Sequence, residues 1–264
     1  MRRGGANMDH IQGRDLAGKV ALIAGGGGIG AAVARRLAAE GCRVVLGDKD
    51  GDGAERDAGA IRADGGECMA VAYDQSDEAS VAALVQKTVD GVGAPDFAFV
   101  NAMDMAAVEY DTDLLDIDMG VFDQTLAVGL RGSVLVARAV MPYLAARRGA
   151  IVFTSSDAAH FGEPCRFAYA MTKSAVNALM RHIASRWGPQ GVRANAILPG
   201  IVMIPRMAEK MDEAIQSRLV AGSRSTRLGR GEDIAAMVAM LFSKDGEWVN
   251  GQTISVNGGG TMRP

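Results

Sequence analysis

The chain has 264 residues, 48% of them hydrophobic, which is enough to bury a large core and close to the upper size of one α/β domain. Its 28 basic and 31 acidic residues leave a formal charge of -3, which gives no electrostatic basis for nucleic acid or an anionic membrane as the main partner and favours a small molecule. The longest apolar runs, such as Val20 to Ala24, are strand-sized and fall far short of the roughly 20 residues needed to cross a bilayer.

Residues 1–13 are polar, with Arg2 and Arg3 but no apolar stretch of the kind a signal peptide carries. They read as a loose tail ahead of a domain covering 14–264, and the pattern points to the cytoplasm. Strand-like segments then recur at Val20 to Ala24, Arg43 to Gly47, Cys68 to Tyr73, Phe97 to Asn101, Ala150 to Ser155, Arg193 to Leu198 and Thr253 to Val256, each separated by helical periodicity. Parallel strands need crossover helices, so this rhythm predicts a single-domain α/β fold: a Rossmann-type, doubly wound parallel sheet of about seven strands. Between 201 and 227, Pro205, Gly222 and paired Ser and Arg residues predict a flap after the sixth strand. Cys42, Cys68 and Cys165 are widely spaced and read as buried free thiols. His10, His160 and His182 have no ligand spacing, so no metal site is expected.

The first strand runs into Gly25-Gly26-Gly27-Gly28-Ile29-Gly30 and an amphipathic helix, the local pattern of a dinucleotide site. Glycines allow a tight turn and close approach to a pyrophosphate, whose charge is met by the N–H groups at the helix start. Asp48 closes the second strand 18 residues beyond Gly30, where a carboxylate accepts hydrogen bonds from ribose hydroxyls and repels a 2′-phosphate. NAD is therefore preferred over NADP, although Lys49 beside Asp48 could soften that repulsion. The alternative reading is that Asp48 merely begins the turn to Gly51.

Farther on, Tyr169 and Lys173 lie one helical turn apart at a helix start, so both point the same way. An ammonium beside a phenol favours the phenolate; a fall of about three units from roughly 10 corresponds to about 4 kcal/mol. A buried strand, Ile151 to Ser155, ends in hydroxyls, with Ser156 13 residues before Tyr169. At this point the chain resembles the classical short-chain dehydrogenase/reductase family, in which a glycine loop, a serine at that strand end and Y-x-x-x-K occur in this order. The resemblance covers about residues 14 to 260 and continues through Asp74, Val192 to Gly200, Arg227 to Ala235 and Val249 to Gly259.

The resemblance implies an oxidoreductase that passes a hydride between NAD(H) and a secondary alcohol or ketone. Ser156 would bind the substrate oxygen, Tyr169 would move its proton, and Lys173 would hold the nicotinamide ribose and lower the tyrosine pKa. The implied cofactor contacts are Gly25, Gly28, Ile29, Gly30, Asp48, Asp74, Gln75, Asn101, Ala102, Tyr169, Lys173, Pro199, Gly200 and Val202. Met103, Asp157, His160, Phe161, Met203, Ile204 and Met207 are candidates for a mostly apolar substrate pocket suited to an alicyclic or aromatic alcohol. Arg206 is a candidate for a substrate carboxylate, although a solvated flap charge is the favoured reading. A homotetramer or homodimer is implied, paired through helices such as Val121 to Ala146 and Tyr169 to Trp187.

Four positions depart from the family pattern. The glycine loop is one residue short, with Ala24 in place of threonine; N-N-A-G reads Val100-Asn101-Ala102-Met103; Gly129 stands where an asparagine holds a relay water; and Ile204 ends a segment without the threonine that meets the carboxamide. If the missing relay limits catalysis, Gly129→Asn is expected to raise turnover. These losses also motivate an alternative reading, a dinucleotide-binding sensor with little turnover.

Overall fold

A computed structural model describes residues 14–204, 207 and 211–262. The strand β1 (Val20–Ala24) is buried throughout, as expected of a parallel strand covered on both faces. It is followed by α1 (Ile29–Ala39), β2 (Arg43–Asp48), α2 (Gly51–Ala63), β3 (Glu67–Ala72), α3 (Glu78–Gly91) and β4 (Phe97–Val100). The second half contains α4 (Met105–Glu109), α5 (Met119–Leu126), a π-helical turn at Ala127–Arg131, α6 (Gly132–Arg147), β5 (Ala150–Thr154), α7 (Phe167–Trp187) and β6 (Arg193–Pro199). The chain then forms β7 (Val202–Met203), α8 (Glu213–Ala221), β8 (Gly229–Arg230), α9 (Gly231–Phe242) and β9 (Thr253–Val256).

Seven strands form one sheet in the order β3-β2-β1-β4-β5-β6-β9, and every pairing is parallel. The expected seven-stranded α/β sheet is observed. The two-residue pair β7-β8 was not anticipated, because so short a bridge leaves no hydrophobic period to read. Strand alternation divides the core. Ala21, Ile23, Phe97, Phe99 and Val152 pack under α1, α2 and α9, whereas Leu22, Ala24, Ala98, Val100, Ile151 and Phe153 face α3, α6 and α7. Two helical layers thus cover the sheet.

The composite helix Met119–Arg147 is long and apolar enough by composition to cross a membrane, yet Val136, Val140 and Leu144 lie in the core beneath the sheet. Cys42 and Cys68 are buried, and burial pushes both thiols up to about 12. Cys165 is exposed, contrary to the expectation of three buried thiols, because it lies on the irregular segment just before α7. The order reverses between β1 and β4, and the carboxyl ends of the strands there open into the cavity described next.

Candidate active site

A cavity of about 1620 Å³ runs along the carboxyl edge of the sheet, from Asp48 and Asp74 at one end to Ser156, Tyr169 and Lys173 at the other. It also receives Gly25, Gly28, Ile29, Gln75, Asn101, Ala102, Pro199, Gly200 and Val202, so most of the sequence-predicted cofactor set converges on one space.

At the cofactor end, α1 begins without a side-chain cap and without an acidic residue in its first turn, which keeps its N-terminus suited to an anion. The Asp48 carboxylate accepts hydrogen bonds from Gly26 N at 2.7 Å and Gly27 N at 3.2 Å, fixing the loop against the end of β2. Gly28 has φ 39, and a side chain there would meet Ile204 Cγ2 at 2.5 Å, so Ile204 packs directly on the turn. Gly30 does not line the cavity: a Cβ at that position would strike the Gly25 carbonyl, so the glycine serves helix-to-loop packing. Lys49 donates to Asp74 Oδ2 at 2.7 Å, and this bond, with help from Ser76, pulls the Asp74 carboxyl down to about 2. Lys49 thus pairs with Asp74 rather than with Asp48.

Between the two ends, Asn101 donates to Gly25 O at 3.0 Å and accepts from Thr154 Oγ1 at 2.9 Å, joining the glycine loop to the end of β5. Buried Gln75 accepts from Tyr73 Oη at 2.9 Å and donates to Val128 O at 2.9 Å within the π-helical turn. A dinucleotide fits this donor set: a glycine turn at an uncapped helix start, carboxylates at Asp48 and Asp74, and a continuous cleft between them and Lys173.

At the catalytic end, Ser156 follows β5 and faces the Tyr169 phenol closely enough to lower its pKa. The Lys173 ammonium lies 5.4 Å from the Tyr169 ring centroid and donates to Thr154 O at 2.9 Å. Burial drops the Lys173 pKa to about 8. The expected lowering of the tyrosine pKa by lysine is not what this geometry produces. Burial pushes Tyr169 above its ordinary value, opposed by Ser156 and by Arg166, because the ammonium is directed at a carbonyl rather than at the phenol oxygen.

The substrate candidates divide. Met103, Asp157, Phe161, Ile204 and Met207 line the cavity, but His160 and Met203 do not. His160 is exposed at the end of the short turn that Ser156 begins, its N–H bonded to Asp157 O. Met203 pairs with Arg230 in the small sheet, and strand alternation sends Val202 and Ile204 into the cavity in its place. Pro205, Arg206 and the 1–13 tail lie outside the described residues.

Two of the sequence departures prove to be neighbours. A Cβ on Gly129 would lie 2.7 Å from Met103 Sδ and 2.6 Å from Thr172 Cγ2. The Met103 thioether therefore fills the space that a side chain at 129 would need, so one large-for-small exchange compensates the other. The added side chain of Gly129→Asn must displace Met103 or Thr172, which sets a steric cost against the expected rise in turnover.

Sequence reasoning also missed several supports. Asp111 accepts from Tyr169 N at 2.8 Å, Asp157 accepts from Asn257 Nδ2 at 2.7 Å, and Asp104 accepts from Gln124 Nε2 at 2.8 Å. Each joins segments far apart in the chain, so no local motif announces it.

A family model described as enoyl-(acyl carrier protein) reductase matches residues 23–261. A probable short-chain type dehydrogenase/reductase of Bradyrhizobium diazoefficiens is 38% identical over 92% of this chain and 87% of its own length. A cis-4-hydroxycyclohexanecarboxylate dehydrogenase of Sinomonas cyclohexanicum is 33% identical over 94% of this chain and 99% of its own length. Among solved structures, a 7α-hydroxysteroid dehydrogenase complexed with NADH and 7-oxo glycochenodeoxycholic acid superposes with a TM-score of 0.86 at 27% identity, over 95% of this chain and 97% of that one. With the glycine loop, Ser156, Tyr169 and Lys173 gathered along one cleft, the chain belongs to the short-chain dehydrogenase/reductase family of oxidoreductases, for which the family and its NADH-bound neighbour imply a nicotinamide dinucleotide cofactor.

Proposed function

We propose that the protein interconverts a secondary alcohol and a ketone with NAD(H), using Ser156, Tyr169 and Lys173. The observation that carries this reading is the convergence of Ser156, Tyr169 and buried Lys173 on the same cleft as Asp48 and the glycine loop. When bound, the nicotinamide supplies or accepts the hydride. Ser156 positions the substrate oxygen, and Tyr169 gives or takes its proton. Because burial holds the phenol protonated at neutral pH, Tyr169 is ready to donate to a ketone oxygen, and alcohol oxidation, which needs the phenolate, rises with pH.

NAD is preferred over NADP on charge. The Asp48 carboxylate stands at the ribose end of the cleft, and Lys49, the nearby cation, is engaged by Asp74. The substrate is an alicyclic or aromatic alcohol: Met103, Met105, Val108, Phe161, Ile204 and Leu219 give the cavity an apolar wall, and the hydroxycyclohexanecarboxylate and hydroxysteroid relatives are named for alicyclic alcohols. A homotetramer or homodimer is supported by Val134 on α6 and Met171 on α7, apolar side chains exposed at 40% and 52%.

The test is NADH formation from cis-4-hydroxycyclohexanecarboxylate, cyclohexanol and a 7α-hydroxy bile acid, comparing wild type with Tyr169→Phe. Turnover of at least one alcohol that is lost in the variant supports the reading. NADH binding with no turnover of any alcohol by wild type would replace it with the sensor reading.

A further inference from the structure

The helix that carries Tyr169 and Lys173 has no cap of its own. Arg166 occupies its N-cap position in the left-handed region, φ 62, and contributes no side-chain capping bond. The first N–H groups of a helix have no intrahelical acceptors, and an N-cap side chain ordinarily serves those of the second or third residue. In α7 these belong to Ala168 and Tyr169. Both are taken by one carboxylate from 57 and 58 residues upstream: Ala168 N donates to Asp111 Oδ1 at 3.3 Å, and Tyr169 N donates to Asp111 Oδ2 at 2.8 Å. The main chain is tied at the same point, since Arg166 N donates to Asp111 O at 2.8 Å.

Asp111 is 3% exposed. A negative group at a helix N-terminus also opposes the positive end of the helix dipole, so the placement is favoured electrostatically as well as by hydrogen bonding. Asp111 closes the short segment that begins at Asp104, and Asp104, Met105, Ala106 and Val108 of that segment line the cavity. One stretch of chain therefore forms a cavity wall and grips the backbone of the residue that acts on the substrate oxygen.

We infer that Asp111 is a positioning residue for Tyr169: as a cap supplied by a distant segment of the same chain, it sets where the phenol stands relative to Ser156 and the substrate, and links that position to the wall formed by α4. The inference rests on the reading of Tyr169 as the acid/base. Displacement of a reacting group by about 1 Å costs on the order of 100-fold in rate, so the effect belongs in kcat.

The test compares Asp111→Asn, which keeps the shape but turns one acceptor into an NH2 group, and Asp111→Ala with a control, Asp77→Ala. Asp77 caps α3 by accepting from Ser80 N at 2.6 Å and does not itself line the cleft. For Asp111→Asn, kcat for an alcohol that wild type oxidises is expected to fall about 10- to 100-fold, with KM and NADH affinity within about threefold. Hydrogen exchange should quicken at the Ala168 and Tyr169 amides while the remainder of α7 stays protected, and Asp77→Ala should keep its kcat. The inference is overturned by a kcat within about twofold of wild type, by a rise in KM alone, by an equal loss in Asp77→Ala, or by failure of Asp111→Asn to fold, which would make Asp111 a folding residue. Wild-type enzyme that oxidises none of the alcohols removes the Tyr169 reading and this inference with it; an active wild type with an unaffected Asp111→Asn removes this inference alone.

Discussion

The two ends of the cleft are built differently. At the cofactor end, the groups that matter come from neighbouring elements near the start of the chain: the glycine turn, Asp48 at the end of the next strand, and Lys49 paired with Asp74 after the strand that follows. At the catalytic end, position depends on bonds between distant segments: Asp111 to Tyr169, Asn101 to Thr154, and Asp157 to Asn257, 58, 53 and 100 residues apart. Bonds among neighbouring strand ends need only those strands to pair, whereas the catalytic braces exist only once segments from across the whole sheet have assembled. Substitutions at the cofactor end should therefore alter affinity and cofactor choice, and those at the catalytic end should alter turnover.

Lys173→Met gives the largest expected effect and separates catalysis from stability. Turnover should fall about 100- to 10000-fold, the usual range for losing acid/base machinery. The unliganded protein should nevertheless melt higher at pH 7, because the variant removes a buried charge. The folded-state pKa of Lys173 is about 8 against an ordinary 10.5, so the unfolded chain binds more protons between those values and wild-type stability rises across that window. The interaction corresponds to about 3 kcal/mol, and the melting advantage of the variant should shrink from pH 8 to 10.5. Thermal melts across that range would check the sign; an advantage that grows with pH would contradict it.

Next comes the exchanged pair. Gly129→Asn should lower turnover by about tenfold by pressing on Met103 and on Thr172, which lies beside Lys173 on α7. Adding Met103→Gly should recover most of that loss, which is positive coupling in a double-mutant cycle. Additive losses would show that the two positions do not share the space. The cofactor end should respond more mildly: Asp48→Ser is expected to lower kcat/KM for NAD by about tenfold and raise it for NADP, with kcat at saturation little changed. A drop in kcat with unchanged cofactor preference would break the division between the two ends. The smallest effect is on pH dependence. Oxidation should speed up from pH 7 toward 10 while reduction stays level across neutral pH, because Tyr169 is held protonated.

The same division explains what the sequence disclosed. The sheet was legible because β1, β4 and β5 are short apolar runs set between helical periods, and the glycine loop, Asp48, Ser156 and Y-x-x-x-K are local patterns. Asp111 was invisible because its partner lies 58 residues away and an aspartate in a connecting segment has many uses. Gly129 and Met103 were each legible as departures, but their compensation was not, since 26 residues separate them and only the fold brings them together. For Gly30, His160 and Met203, which do not line the cleft, the reason is simpler. Membership of a motif or loop does not say which way a residue faces: tight packing accounts for Gly30 and strand alternation for Met203, while His160 is exposed at the end of a short turn.

The central claim is that Tyr169 transfers the proton in a cleft whose cofactor end works independently of it. The most direct measurement is turnover of an alcohol that wild type oxidises, made with Tyr169→Phe at saturating NAD alongside NADH affinity. The account predicts a rate at least about 100-fold lower with NADH affinity within about threefold of wild type. A variant that retains wild-type turnover, or that loses NADH binding together with activity, would contradict it.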